Sequence, residues 1–167
     1  LAVGANQWCS SKEHEGYTRG LHLGKTGVAM AWLHLSQVTR ETGYLSHCTE
    51  NAEILLREDP GPFTDILGGA ASNGLFLIRL WQATGDQKYL DGAVRCGAWL
   101  RESLVRDDRG CHCLARPDGR FGELPFLGVA HGISGVAHYF LLLYESTRDR
   151  DWEACARELL DTLTAHA

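Results

Sequence analysis

The 167-residue chain is 44% hydrophobic and carries a formal net charge of −5, which is enough apolar content for the core of one domain of ordinary size. It has no Lys/Arg-rich tract, and its acidic balance argues against nucleic acid or an anionic membrane surface as a partner. No apolar run approaches the roughly 20 residues needed to span a bilayer, and residues 1–20 are mixed and polar, without the apolar stretch of a secretory leader.

Residues 1–19 read as an N-terminal extension and residues 20–167 as one repeat-built domain. Three segments align without a gap. The first carries Gly24, Gly27, Leu35, Thr39, Tyr44, Ala52 and Leu55. The second has Gly69, Ser72, Leu80, Thr84, Tyr89, Gly97 and Leu100, and the third has Gly132, Gly135, Leu143, Thr147, Trp152, Leu160 and Leu163. The offsets are 45 and then 63 residues.

Each segment reads as a helical hairpin. Its first helix is apolar nearly all round (Val28–Leu33, Leu75–Ile78, Val136–Leu143) and so is expected to be buried on most sides. Its second helix is amphipathic, with Leu45, Cys48, Ala52 and Leu55 three or four apart, then Tyr89, Ala93, Cys96 and Leu100, then Trp152, Cys155, Leu159 and Leu163. Thr84-Gly85-Asp86 and Thr147-Arg148-Asp149 stop the first helix and start the turn. The added length of the second interval lies between Arg101 and Leu127 and is rich in Asp, Arg, Gly and Pro, so a long surface excursion is expected there. No segment alternates as a strand should.

Buried inner helices alternating with amphipathic outer ones describe an all-α fold, an (α/α) toroid or solenoid of which about three hairpins are present. The inner helices at its two ends should have bare apolar flanks, covered by self-association or by the rest of a toroid. Cys48, Cys96 and Cys155 fall on apolar helix faces, where free cysteine acts as a small hydrophobe. The expected setting is reducing and cytoplasmic.

The glycines before each inner helix (Gly24 and Gly27, Gly68 and Gly69, Gly132 and Gly135) allow sharp turns and close backbone approach. They are also expected to leave helix N–H groups open toward the toroid centre, so that Gly24, Gly68, Gly69, Gly132 and Gly135 line a central cavity. The repeats act as an internal control, since what the fold needs should recur. His131 is matched by Leu23 and Gly68, and Asp65 by Gly20 and Gly128. The fold therefore requires neither side chain, and a histidine at such a mouth can give or take a proton near neutral pH. The alternative is that His131 packs locally and Asp65 is a helix N-cap.

Gly128-Val-Ala-His-Gly-Ile-Ser-Gly135 resembles the G-x-x-H-G-x-x-G motif of lanthionine synthetase C-like proteins. Thr64-Asp-Ile-Leu-Gly-Gly-Ala-Ala71 resembles their D-(I/L)-(I/L)-x-G-x-A-G segment, with Ser72 where the family usually has Gly. Gly20–Ala29 resembles an earlier inner-helix start. The resemblance implies an (α/α) toroid that forms thioether rings in precursor peptides by adding Cys thiolates to dehydroamino acids. It further implies zinc to activate the thiolate, with His131 as acid/base residue and Asp65 assisting.

The family's zinc ligands, in W-C-x-G and C-H-G motifs, are missing here, so a complete site is not expected from this chain alone. Cys111-His112-Cys113 falls in the excursion without a fourth ligand and reads as a loop with incidental thiols. Trp8-Cys9 lacks the x-Gly that should follow. His22 lies beside an inner helix, and His34 and His138 read as core histidines. The rival readings are a non-catalytic repeat module that binds a peptide or partner protein, and a glycosidase or epimerase on the same fold. A glycosidase needs two carboxylates, and only Glu123 is a candidate beside Asp65.

Overall fold

The computed structural model describes residues 19–166; Trp8-Cys9 lies outside them. Three helical hairpins follow in chain order. They are α1 (Lys25–Thr39) with α2 (Thr42–Arg57), α3 (Ala70–Thr84) with α4 (Gln87–Glu102), and α5 (Ile133–Thr147) with α6 (Arg150–Ala165). Within each hairpin the two helices pack together. Between hairpins, α3 lies against α1 and α5, while α4 lies against α2 and α5. This is an all-α (α/α) toroid fragment with α1, α3 and α5 as the inner row.

The repeat is visible in individual hydrogen bonds. Thr39, Thr84 and Thr147 each donate their hydroxyl to the carbonyl four residues back, on Leu35, Leu80 and Leu143, at 2.8 Å. Each also accepts from the N–H two residues on, of Glu41, Asp86 and Asp149, at 3.2 Å. One threonine thus closes the inner helix and opens the outer one. Between them Arg40, Gly85 and Arg148 turn left-handed, with φ of 61°, 71° and 61°, a conformation that suits glycine and costs the two arginines.

Burial follows position in the row. The central inner helix α3 is buried along most of its length, including Ala70–Gly74 and Phe76–Ile78. Among the described residues the end helix α1 has a neighbouring hairpin on one side only, and Leu35 is 42% and Val38 82% exposed. His34 and His138 are also exposed. They are not core histidines, because apolar composition does not say which face of an inner helix turns from its neighbours. On the outer helices Cys48, Cys96 and Cys155 are buried, as their helical spacing requires.

The excursion differs most from expectation. Val105–Asp107 (β1) and Gly110–His112 (β2) form an antiparallel hairpin, with Arg106 paired to Cys111. Gly110 takes φ +101° where a side chain would strike Thr162 of α6, so the strand lies flat on that helix. Cys111, His112 and Cys113 are all buried, not placed in a surface loop. The apolar pair Cys111 and Cys113, two apart, was a period-2 signal too short to stand out from a polar surround.

Candidate active site

The three loops that lead into the inner helices are built alike. In each, the chain folds back so that N–H groups of the first helical turn donate to carbonyls seven residues earlier. Gly27 donates to Gly20 at 3.2 Å, Ala70 to Phe63 at 2.8 Å, Ala71 to Thr64 at 3.2 Å, Ser72 to Asp65 at 3.3 Å, Ile133 to Phe126 at 2.9 Å and Ser134 to Leu127 at 3.3 Å. The helix starts are therefore not open to the toroid centre, because the preceding loop occupies them. This explains the glycines. A Cβ at Gly69 would collide with the Phe63 carbonyl, at Gly132 with that of Phe126, and at Gly135 with that of Val129. Ser72 is accommodated, and its hydroxyl donates to the Gly69 carbonyl at 2.8 Å.

Neighbouring loops are stitched at equivalent positions. His22 N–H donates to the Leu67 carbonyl at 3.0 Å, and Leu67 N–H donates to that of Ala130 at 3.2 Å. These bonds bring the second and third loops together and, with them, their two unique polar residues. Asp65 Oδ2 lies 2.7 Å from His131 Nδ1, with the Asp65 side chain 2% and the His131 side chain 34% exposed. A carboxylate can only accept, so Nδ1 carries the proton and donates it. Asp65 Oδ1 accepts the Gly68 N–H at 2.8 Å. The carboxylate is thus held on both oxygens, and it does not cap α3, whose N-cap is Gly69.

The excursion supplies a brace behind this dyad. Thr64 is fully buried. Its N–H donates to the Ala115 carbonyl at 2.9 Å and its hydroxyl to the Leu114 carbonyl at 2.9 Å. In front, a cleft of about 150 Å³ is lined by Leu23, Phe63, Asp65, Leu67, Gly68, Phe121 and His131. The rings of Phe121 and Phe126 stand 5.4 and 6.0 Å from the His131 ring. Of the five glycines expected to line a cavity, Gly68 does so; Gly69, Gly132 and Gly135 are buried, and Gly24 is the half-buried N-cap of α1. The aromatic wall and the brace escaped the sequence reading, since Phe63, Phe121 and Phe126 lie in irregular loops without periodicity.

Among the described residues the cysteines do not fit zinc as a ligand set. Burial raises the thiols of Cys48 and Cys111 to about 11 and those of Cys96 and Cys113 to about 12, the reverse of an activated thiolate. Cys111 faces Arg106, Glu158 and Cys155, whereas His112 faces Asp107 and Arg109 on the other side of the strand. No group of three or more His, Cys, Asp or Glu among the described residues could hold a metal ion.

The model of the family described as lanthionine synthetase C-like protein matches residues 5–167. The chain belongs to the lanthionine synthetase C-like family. Comparison with curated proteins finds no match. Among solved structures, this lanthionine synthetase C-like chain is similar to a family 76 glycoside hydrolase (mannosidase) from Bacteroides thetaiotaomicron VPI-5482. The TM-score is 0.58 at 15% identity, covering 83% of this chain and 42% of that one. A family 76 glycoside hydrolase from a bovine Bacteroides thetaiotaomicron strain gives TM-score 0.54 at 15% identity, covering 83% and 34%. At that identity the likeness shows the fold, and the chain spans less than half the length of either structure. Glu123 is exposed and is not among the residues that line the cleft.

Proposed function

We propose that the chain is the acid/base part of a lanthionine synthetase C-like peptide cyclase, with a dehydrated, cysteine-bearing precursor peptide as substrate. The observation that carries this reading is the buried Asp65 held 2.7 Å from a partly exposed His131. Addition of a peptide thiolate to the β-carbon of a dehydroamino acid leaves an enolate that needs a proton at the α-carbon. His131, oriented through Nδ1 by Asp65, donates that proton from Nε2 and is reprotonated from solvent before the next addition. Asp65 fixes the tautomer by accepting from Nδ1, which leaves Nε2 toward the cleft as the reacting nitrogen. No described residue fits thiolate activation, and that role is assigned to residues outside the described part.

The loop stitching supports a continuation. The first loop donates to the second and the second to the third, a series that the next hairpin of a toroid would extend at the exposed Ala130. The rest of the toroid, contributed by further chain or by a second copy, is the partner expected there. The test is thioether formation on a dehydrated peptide by the completed toroid, followed by mass and thiol alkylation. His131→Ala should leave peptide binding nearly intact and slow ring closure by about 10² or more, as for a lost general acid. Ring closure at the unsubstituted rate would refute the assignment. Binding without any ring closure in the completed toroid would point to a non-catalytic peptide-binding module.

A further inference from the structure

The cleft in front of His131 has a shape and chemistry beyond what proton transfer demands. Its walls are Leu23, Phe63, Leu67 and Phe121, and Gly68 and the dyad complete the lining. Phe121 packs edge-on against Phe63 at 5.7 Å and tilted against Phe126 at 6.3 Å. Phe121 and Phe126 remain 44% and 46% exposed, and Leu23 53%. An apolar cavity of about 150 Å³ is large enough for a benzene ring, and aromatic rings prefer the tilted and edge-on neighbours that these phenylalanines offer.

We infer that this cleft is a specificity subsite that takes one aromatic side chain of the peptide, from a residue next to the one reacting at His131. The inference rests on reading the dyad as a peptide-processing site. The size of the cleft decides the occupant. A stable interface between two copies needs about 800 Å² from each partner, and this cleft holds a single ring. Gly68 is the gate residue. A Cβ there would sit at an ordinary 3.8 Å from Leu23 Cδ1 and the Arg19 carbonyl, so a larger side chain can enter the cleft without backbone strain.

The test uses the 167-residue chain and two probes, N-acetyl-phenylalaninamide and N-acetyl-alaninamide, each titrated while the His131 ring signals are followed by NMR. The phenylalanine probe should bind saturably, at least about fivefold more tightly than the alanine probe, and shift the His131 signals. Gly68→Val should abolish that preference by filling the cleft. Phe121→Ala, which removes an exposed wall and leaves the core untouched, should weaken it severalfold; circular dichroism checks that both variants stay folded. Equal binding of the two probes, or a preference that survives Gly68→Val, would overturn the inference. So would His131 shifts that follow protein concentration without any probe, because a second copy would then occupy the cleft. The cyclase reading fails separately: a phenylalanine preference in a completed toroid that closes no rings sinks only that reading. Ring closure at equal rates beside Phe and Ala sinks only the subsite.

Discussion

Gly74 stands in the interior of α3, where glycine costs a helix about 1 kcal/mol relative to alanine, so propensity alone says that Gly74→Ala should stabilise the protein. The packing says the opposite. A Cβ at Gly74 would run into the Tyr139 hydroxyl and ring on α5. Tyr139 is fully buried, and its hydroxyl donates to the Ala93 carbonyl of α4 at 2.6 Å. Overpacking costs about 1–3 kcal/mol, and displacing the hydroxyl leaves a buried donor unsatisfied for about 1–3 kcal/mol more. Set against the propensity gain, the expected net loss is about 3 kcal/mol. Urea unfolding followed by tryptophan fluorescence measures it. Tyr139→Leu in the same chain should relieve the clash, with a favourable coupling of at least about 1 kcal/mol in the double-mutant cycle. The consequence reaches the site, because α3 and α5 carry the loops of Asp65 and His131. A wider gap between the helices would lengthen the 2.7 Å bond between those residues. A Gly74→Ala protein as stable as the unsubstituted one, or more so, would refute the claim that this contact sets the spacing of the inner helices.

Three further outcomes are expected. Arg148→Gly should stabilise the chain by about 1 kcal/mol in the same unfolding assay, since the left-handed turn at φ 61° no longer strains a side chain. Thr64→Val should cost about 1–2 kcal/mol by leaving the Leu114 carbonyl without its donor, and Thr64→Ser should recover most of it; in the completed toroid, ring closure should fall with Thr64→Val and return with Thr64→Ser. The buried thiols predict an alkaline limit. Desolvation holds Cys48 and Cys111 at about 11 and Cys96 and Cys113 at about 12 against an ordinary 9.0. The unfolded chain therefore releases protons first, and stability that is complete below pH 9 declines as pH rises through 9 to 12, which a pH series of urea midpoints will show.

The sequence by itself determined the hairpins, their inner or outer character, their register and the two residues that break the repeat. These properties are local: helical period, a threonine that bonds four residues back, and a turn that tolerates left-handed backbone are written within a few residues of where they act. The faces of α2, α4 and α6 that carry Cys48, Cys96 and Cys155 were legible for the same reason. Tertiary structure decided the rest. Asp65 and His131 are 66 residues apart in the chain, and the packing of α3 against α5, with the bond from Leu67 to Ala130 between their loops, makes them neighbours. The glycines of the motif predict open helix ends, yet they admit loop carbonyls that close them, because a missing side chain does not reveal which backbone fills its place. The excursion reads as surface because most of its residues are polar, but Cys111, His112, Cys113 and Ala115 are buried. It braces the Asp65 loop through hydrogen bonds to Thr64, whose partners lie about fifty residues away, beyond the reach of any local pattern.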